Sequence, residues 1–173
     1  MRNPFRSKAL PSDGVPIKHP HRTPGKGATS ADIFEVWGDL IDLSDRDSAE
    51  IAYLGRQATA YMREQITRLL DLNEQQHPDF SIDWCSDSKE QPYLLVKCED
   101  MQGEIGARPF GRCLDLFGIL IMSKGLLINS DPNPLVRLSK LDASKRRDVT
   151  IFQSLLKYVL DQTGEAIDEQ RIV

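Results

Sequence analysis

Pro109-Phe110-Gly111-Arg112-Cys113-Leu114-Asp115-Leu116-Phe117-Gly118-Ile119-Leu120-Ile121-Met122 is the stretch on which the fold turns. Pro109 stands where a first helical residue is favoured, and Gly125 stands where a helix-terminating residue is favoured. Beyond its first turn the stretch is apolar nearly all round, so the pattern predicts a buried central helix. Two internal glycines weaken helical propensity there. A strand over Leu116–Met122 is the alternative, because a short apolar run fits either element.

Upstream of this stretch the period is two. Phe80, Ile82 and Trp84 alternate with Ser81, Asp83 and Cys85, and Tyr93 to Cys98 follows a polar turn. Two such runs predict an antiparallel hairpin, with Pro92 suited to a strand start or an edge. Residues 101–105 supply either a third strand or a loop. Further upstream, Ile51, Leu54, Ala58, Tyr61, Met62, Ile66, Leu69 and Leu72 form one stripe at spacings of three and four. That stripe predicts a long amphipathic helix over 47–74, closed by His77-Pro78. Ser30 with Asp32 reads as the start of a shorter helix over 31–41.

Downstream, 126–129 reads as a short extended piece and Asn133-Pro134 as the start of a brief helix to Leu141. Asp142 or Ser144 can cap a last helix whose face is Val149, Phe152, Leu155, Leu156 and Val159, with Gly164 ending it. The expected fold class is α+β: a small antiparallel sheet of two to four strands, packed against a buried central helix and a long amphipathic helix. The expected order is α-α-β-β-(β)-α-(β)-α-α.

Charge divides the chain. Its 173 residues carry a formal net charge of −4. Residues 1–30 hold Arg2, Arg6, Lys8, Lys18, Arg22 and Lys26 against Asp13 alone, together with five of the ten prolines. Proline-rich and poor in apolar side chains, residues 1–30 are expected to be an extended basic tail, 31–164 a single acidic domain, and 165–173 a C-terminal tail. The tail carries candidate partner contacts at Arg2, Arg6, Lys8, Lys18, Arg22 and Lys26. Tyr61, Trp84 and Tyr93 are further candidates on the domain.

Several chemistries lack their residues. No apolar run approaches the roughly 20 residues of a membrane span, and no signal-peptide core follows the N-terminus. Cys85, Cys98 and Cys113 show no paired spacing, which argues for reduced, buried thiols, a reducing compartment and a cytoplasmic location. No CxxC occurs and His77 is the one histidine outside the tail, which argues against zinc. GxSxG, GxGxxG and P-loop patterns are absent, so no catalytic set, metal or cofactor is assigned. Asp42, Asp45, Asp47 and Glu50 do not follow calcium-loop spacing and read as a solvated loop.

One place departs from local rules. Arg108 and Arg112 flank Pro109 at the expected helix start, where free N–H groups and two guanidinium forks would form a candidate anion site. Pairing of Arg112 with Asp115 is the competing account. A second basic run, Arg137, Lys140 and Lys145-Arg146-Arg147, precedes and opens the last helix. An acidic domain with 7% aromatic residues argues against specific nucleic-acid recognition. The expected function is therefore a non-enzymatic protein–protein interaction module: an acidic adaptor, chaperone or accessory subunit whose basic arm docks a protein partner or a second copy. The alternatives are a small enzyme or anion-binding protein using Arg108 and Arg112, and a nucleic-acid-associated protein acting through its tail.

Overall fold

The computed structural model describes residues 7–8, 33–72, 80–86, 90–98, 101–122 and 141–172. A two-residue strand, β1 (Ser7–Lys8), is followed by β2 (Ile33–Asp42) and helix α1 (Ser48–Leu72). Four strands come next: β3 (Phe80–Ser86), β4 (Pro92–Cys98), β5 (Met101–Phe110) and β6 (Cys113–Met122). Helix α2 (Ala143–Asp168) completes the order. The fold is α+β, with one fully antiparallel sheet in the order β1-β2-β6-β5-β4-β3. From β2 the chain passes through α1 to the opposite edge of the sheet, then returns strand by strand until β6 lies beside β2.

The stretch 109–122 is therefore a hairpin arm and not a central helix. Met101 to Phe110 pairs with Met122 to Cys113 residue for residue. Leu114, Leu116, Gly118 and Leu120 face the helices, while Asp115, Phe117, Ile119 and Ile121 face the other way. β6 is paired on both sides and buried on both faces, and that is why its sequence lacks alternation. Phe110-Gly111-Arg112-Cys113 is a two-residue turn with Gly111 at φ +57°. A positive φ at the first central position alone matches a II′ turn, which favours glycine there. Pro109 fits because the register of β4 against β5 stops at Ile105, so β5 has a ladder on one side only at that level.

The expected helix at 31–41 is strand β2. Its Ile, Phe, Val and Trp content suits a pleated surface, and Gly38 weakens a helix. A register shift between Ile33 and Glu35 places Phe34 in the core. The sheet thus has five long strands and one short one, more than the two to four expected. The hairpin β3–β4 forms as read, with Phe80 opposite Cys98 and Ser86 opposite Pro92. Residues 101–105 are strand.

Asp47 caps helix α1: its Oδ1 accepts from the Glu50 N–H at 2.8 Å. Its stripe Ile51, Leu54, Ala58, Met62 and Ile66 is buried. Asp142 caps α2, accepting from the Lys145 N–H at 2.9 Å. Gly164 does not end α2: it is buried inside a helix that runs on to Asp168, because Thr163, Ala166 and Ile167 stay packed against the core. The turn closes at left-handed Gln170 (φ 57°), with the Arg171 N–H donating to the Ala166 carbonyl and Ile172 buried. Residues 165–168 accordingly continue the helix, and 169–172 form its closing turn. The expected pieces at 126–129 and 133–140, and the helix stop at His77-Pro78, lie outside the described residues.

Both helices lie on one face of the sheet. A Cβ at Gly55 of α1 would meet the Ala107 carbonyl oxygen at 3.0 Å, and one at Gly103 of β5 would meet Leu156 and Phe152 of α2. Gly103 and Ala107 point the same way from β5, so α1 and α2 share that face. The main core fills the space between, from Leu94, Val96, Ile105 and Leu120 of the sheet to Met62, Phe152 and Leu156 of the helices. A second, smaller apolar cluster of Val36, Ile119 and Ile121 lies on the other face.

Candidate functional site

β3 ends the sheet, and its Trp84, opposite Leu94 of β4, is 44% exposed. Together with Ala60, Arg63, Glu64, Thr67 and Arg68 of α1 it lines an open groove of about 920 Å³. The groove exists because α1 packs chiefly on β5, with less contact to β4, so the helix-side face of β3 extends past the helix. Arg68 reaches Glu64 at 3.3 Å, one turn back along α1. Arg63 makes no ion pair among the described residues, and the described charged lining, Arg63, Glu64 and Arg68, sums to +1. An indole face, a cation and the outer backbone of an edge strand thus lie within one surface feature.

The other aromatic candidates are elsewhere. Tyr61 packs against the core, and its hydroxyl meets Arg171 beyond the end of α2. Tyr93 is half-buried on the opposite face of the sheet, its Cα close above Gly106. Of the basic tail, Lys8 has its backbone in β1, opposite Asp39 at the far edge of the sheet from β3. Arg2, Arg6, Lys18, Arg22 and Lys26 lie outside the described residues.

Arg108 and Arg112 do not frame a helix start. Arg108 is buried in β5 on the face away from the helices, directly opposite Asp115 and 4.9 Å from the centroid of the Phe117 ring. Arg112 is exposed in the hairpin turn, where its Nη1 donates to the Ser44 carbonyl at 3.4 Å. The partner facing Asp115 is therefore Arg108 rather than Arg112, a relation set by strand register and not by helical spacing. Burial pushes the Asp115 carboxyl up to about 7, Arg108 opposes that rise, and Asp39 adds to it. Burial also lowers Arg108, against the attraction of Asp115. Glu104 is buried on the same face of β5.

The acidic run after β2 serves local structure. Asp42 accepts from the Ser44 N–H at 2.9 Å, and hydrogen bonds from Ser44 hold its carboxyl below the usual range. Asp47 caps α1. All three cysteines are free; Cys98 is buried, while Cys85 and Cys113 are half-buried. Burial, and secondarily Asp42, raises the Cys113 thiol. Among the described residues no group of three metal-ligating side chains converges, and no helix is long and apolar enough to cross a membrane.

Sequence reasoning passed over Tyr53, Phe110 and Tyr158, three further large side chains that stand exposed. Phe110 was hidden by the helix reading, and the two tyrosines sit off the apolar stripes of their helices. Comparison with protein-family models, with curated proteins and with solved structures found no match to this chain.

Proposed function

We propose that the chain is a non-enzymatic protein–protein interaction module, an acidic adaptor, chaperone or accessory subunit, that receives an extended partner segment along the outer edge of β3. In this reading the partner strand adds to the sheet, places an apolar side chain against Trp84 and sets a carboxylate against Arg63. The observation that carries the reading is the exposed Trp84 on a strand that, among the described residues, has a neighbour on one side only. Tryptophan offers a large apolar area and is over-represented among the residues that dominate interface energy. Strand addition obtains affinity from main-chain hydrogen bonds and specificity from alternate side chains. The basic arm is the proposed second contact, for an acidic partner. The free thiols favour a reducing location, and we place the protein in the cytoplasm. Arg108 and Arg112 point to different surroundings, so an anion site built from the pair is not proposed.

The test is a photo-crosslinking side chain at position 84, with position 158 as an equally exposed control on α2, in cells that express the protein natively. A discrete crosslinked polypeptide at 84 and none at 158 is expected. Trp84→Ala should weaken that partner by about tenfold or more, the scale of an interface hot spot. Light scattering of the purified chain separates a second copy from a different partner. Equal crosslinking at the two positions, or none at 84, overturns the reading.

A further inference from the structure

Phe80, Ile82 and Trp84 of β3 lie opposite Cys98, Val96 and Leu94, all members of the main core, so the three point to the helix side of the sheet. Phe80 and Ile82 are nevertheless only half-buried, and Trp84 is exposed. Ser81 and Asp83 point to the other side, opposite Lys97 and Leu95. Ser81, Asp83 and Lys97 are exposed, and Asp83 and Lys97 make no ion pair among the described residues. A partly exposed apolar row on a strand with one described neighbour is a template for a further strand.

Register decides which strand fits. When two copies of one strand pair about a two-fold axis, one residue lies opposite itself and the rest pair reciprocally. Centred on Ile82, β3 sets Ile82 against Ile82, Phe80 against Trp84, and Ser81 against Asp83. Every apolar side chain of the row then has an apolar one directly opposite, the unit by which a sheet is stabilised. Centring on Asp83 sets that carboxylate against itself. Centring on Ser81 or on Trp84 leaves one of the two aromatics opposite a residue outside β3. A shift by one residue sets Ile82 against Asp83.

Charge agrees with the same register. Lys97 lies opposite Ser81, so Asp83 of the second copy falls about 10 Å from Lys97, two strand spacings away across the small serine. The lysine and aspartate side chains together span that distance, and the axis makes two such pairs. The helices do not obstruct. An axis perpendicular to the sheet keeps both helical layers on one face, and α1 packs chiefly on β5. The two β5 strands would lie about 24 Å apart, well beyond the separation of about 8–10 Å at which helices pack.

We infer that the strand received along β3 is β3 of a second copy, giving a two-fold dimer with one continuous sheet centred on Ile82. This rests on the strand addition proposed above and fixes its partner. The carboxylate that a second copy brings is Asp83, and it meets Lys97 rather than Arg63. Strands of seven residues make a small interface, so the dimer is expected in the micromolar range.

Sedimentation velocity of the purified full chain, from about 1 to 500 µM, reads the association. A monomer–dimer equilibrium is expected, weakened by about tenfold or more in Trp84→Ala. Asp83→Lys and Lys97→Asp, both at exposed positions, should each weaken self-association by about fivefold or more. An equimolar mixture of these two variants should recover the wild-type association, because each copy then meets the opposite charge in the other. An ion pair within one copy could not be recovered by mixing. A chain that stays monomeric over this range, an association indifferent to Trp84→Ala, or a mixture no tighter than its components overturns the inference. The strand-addition reading survives a monomeric chain if position 84 still crosslinks a different polypeptide in cells, and falls with it if position 84 crosslinks nothing.

Discussion

Arg108 and Asp115 face one another across the β5–β6 ladder, both buried, on the side of the sheet away from the helices. A buried charge pair of this kind gains Coulomb energy only after desolvation has been offset, so its protonation is coupled to stability. Asp115 ordinarily ionises near 3.8, but burial in the fold moves it to about 7. Between those values the unfolded chain has released the proton and the native chain retains it. Stability contributed by this group is therefore complete below about pH 4, falls as pH rises towards 7, and is constant above. Three pK units correspond to about 4 kcal/mol at the upper limit. Asp115→Asn, which mimics the protonated carboxyl, should remove this slope. Urea denaturation of both proteins from pH 4.5 to 8 measures it: the wild type should lose ground to the variant as pH rises, and parallel curves contradict the account.

Thr59 ties α1 to the sheet. Its hydroxyl donates to the Gly55 carbonyl at 2.9 Å and accepts from the Ala107 N–H at 3.1 Å, in a fully buried position. Ala107 lies past the level where β4 stops pairing with β5, so the threonine satisfies a donor that the ladder leaves over. Thr59→Val keeps the shape and strands that donor. A loss of about 1–3 kcal/mol in chemical denaturation is expected, with Thr59→Ser close to wild type.

At Gly118 the strand β6 packs directly against side chains of β2 and α2. An added methyl would lie 2.9 Å from both Trp37 Cε3 and Leu160 Cδ1. The leucine end can rotate, but the indole is rigid. Gly118→Ala should cost about 1–3 kcal/mol by overpacking and should shift the Trp37 indole N–H signal in a proton–nitrogen correlation spectrum. An unchanged midpoint with an unchanged signal would mean that β2 yields freely at this point.

Gly111 tests the hairpin reading of 109–122 directly. Its φ is +57° with open space around it, so a side chain meets backbone strain and no clash. Gly111→Ala should destabilise by about 1–2 kcal/mol and Gly111→Asn by less, since asparagine tolerates the left-handed region. Were 110–122 a helix, Gly111→Ala would instead stabilise it through propensity.

Local pattern specified α1, a stripe at three-and-four spacing; that Asp47 is its cap, the side chain reaching the third helical N–H, came from the structure. The β3–β4 hairpin was equally legible, since one of its strands is an edge and alternation survives there. At the candidate site, Trp84 was visible as an aromatic on a short strand. Its groove was not, because the offset between α1 and β3 is a matter of layer packing.

What the amino-acid order determined by itself is the acidic α+β domain with a basic, proline-rich start, the long helix, the edge hairpin, and a last helix capped at Asp142 or Ser144. Each rests on contacts within a few residues, where spacing and side-chain type suffice. Tertiary structure alone decided that 33–42 and 113–122 are adjacent strands. Leu116 to Met122 is apolar toward both faces and therefore carries no period of its own, so the backbone adopts the conformation whose hydrogen bonds are completed by β2 and β5. The same pairing, and no local rule, sets Arg108 against Asp115.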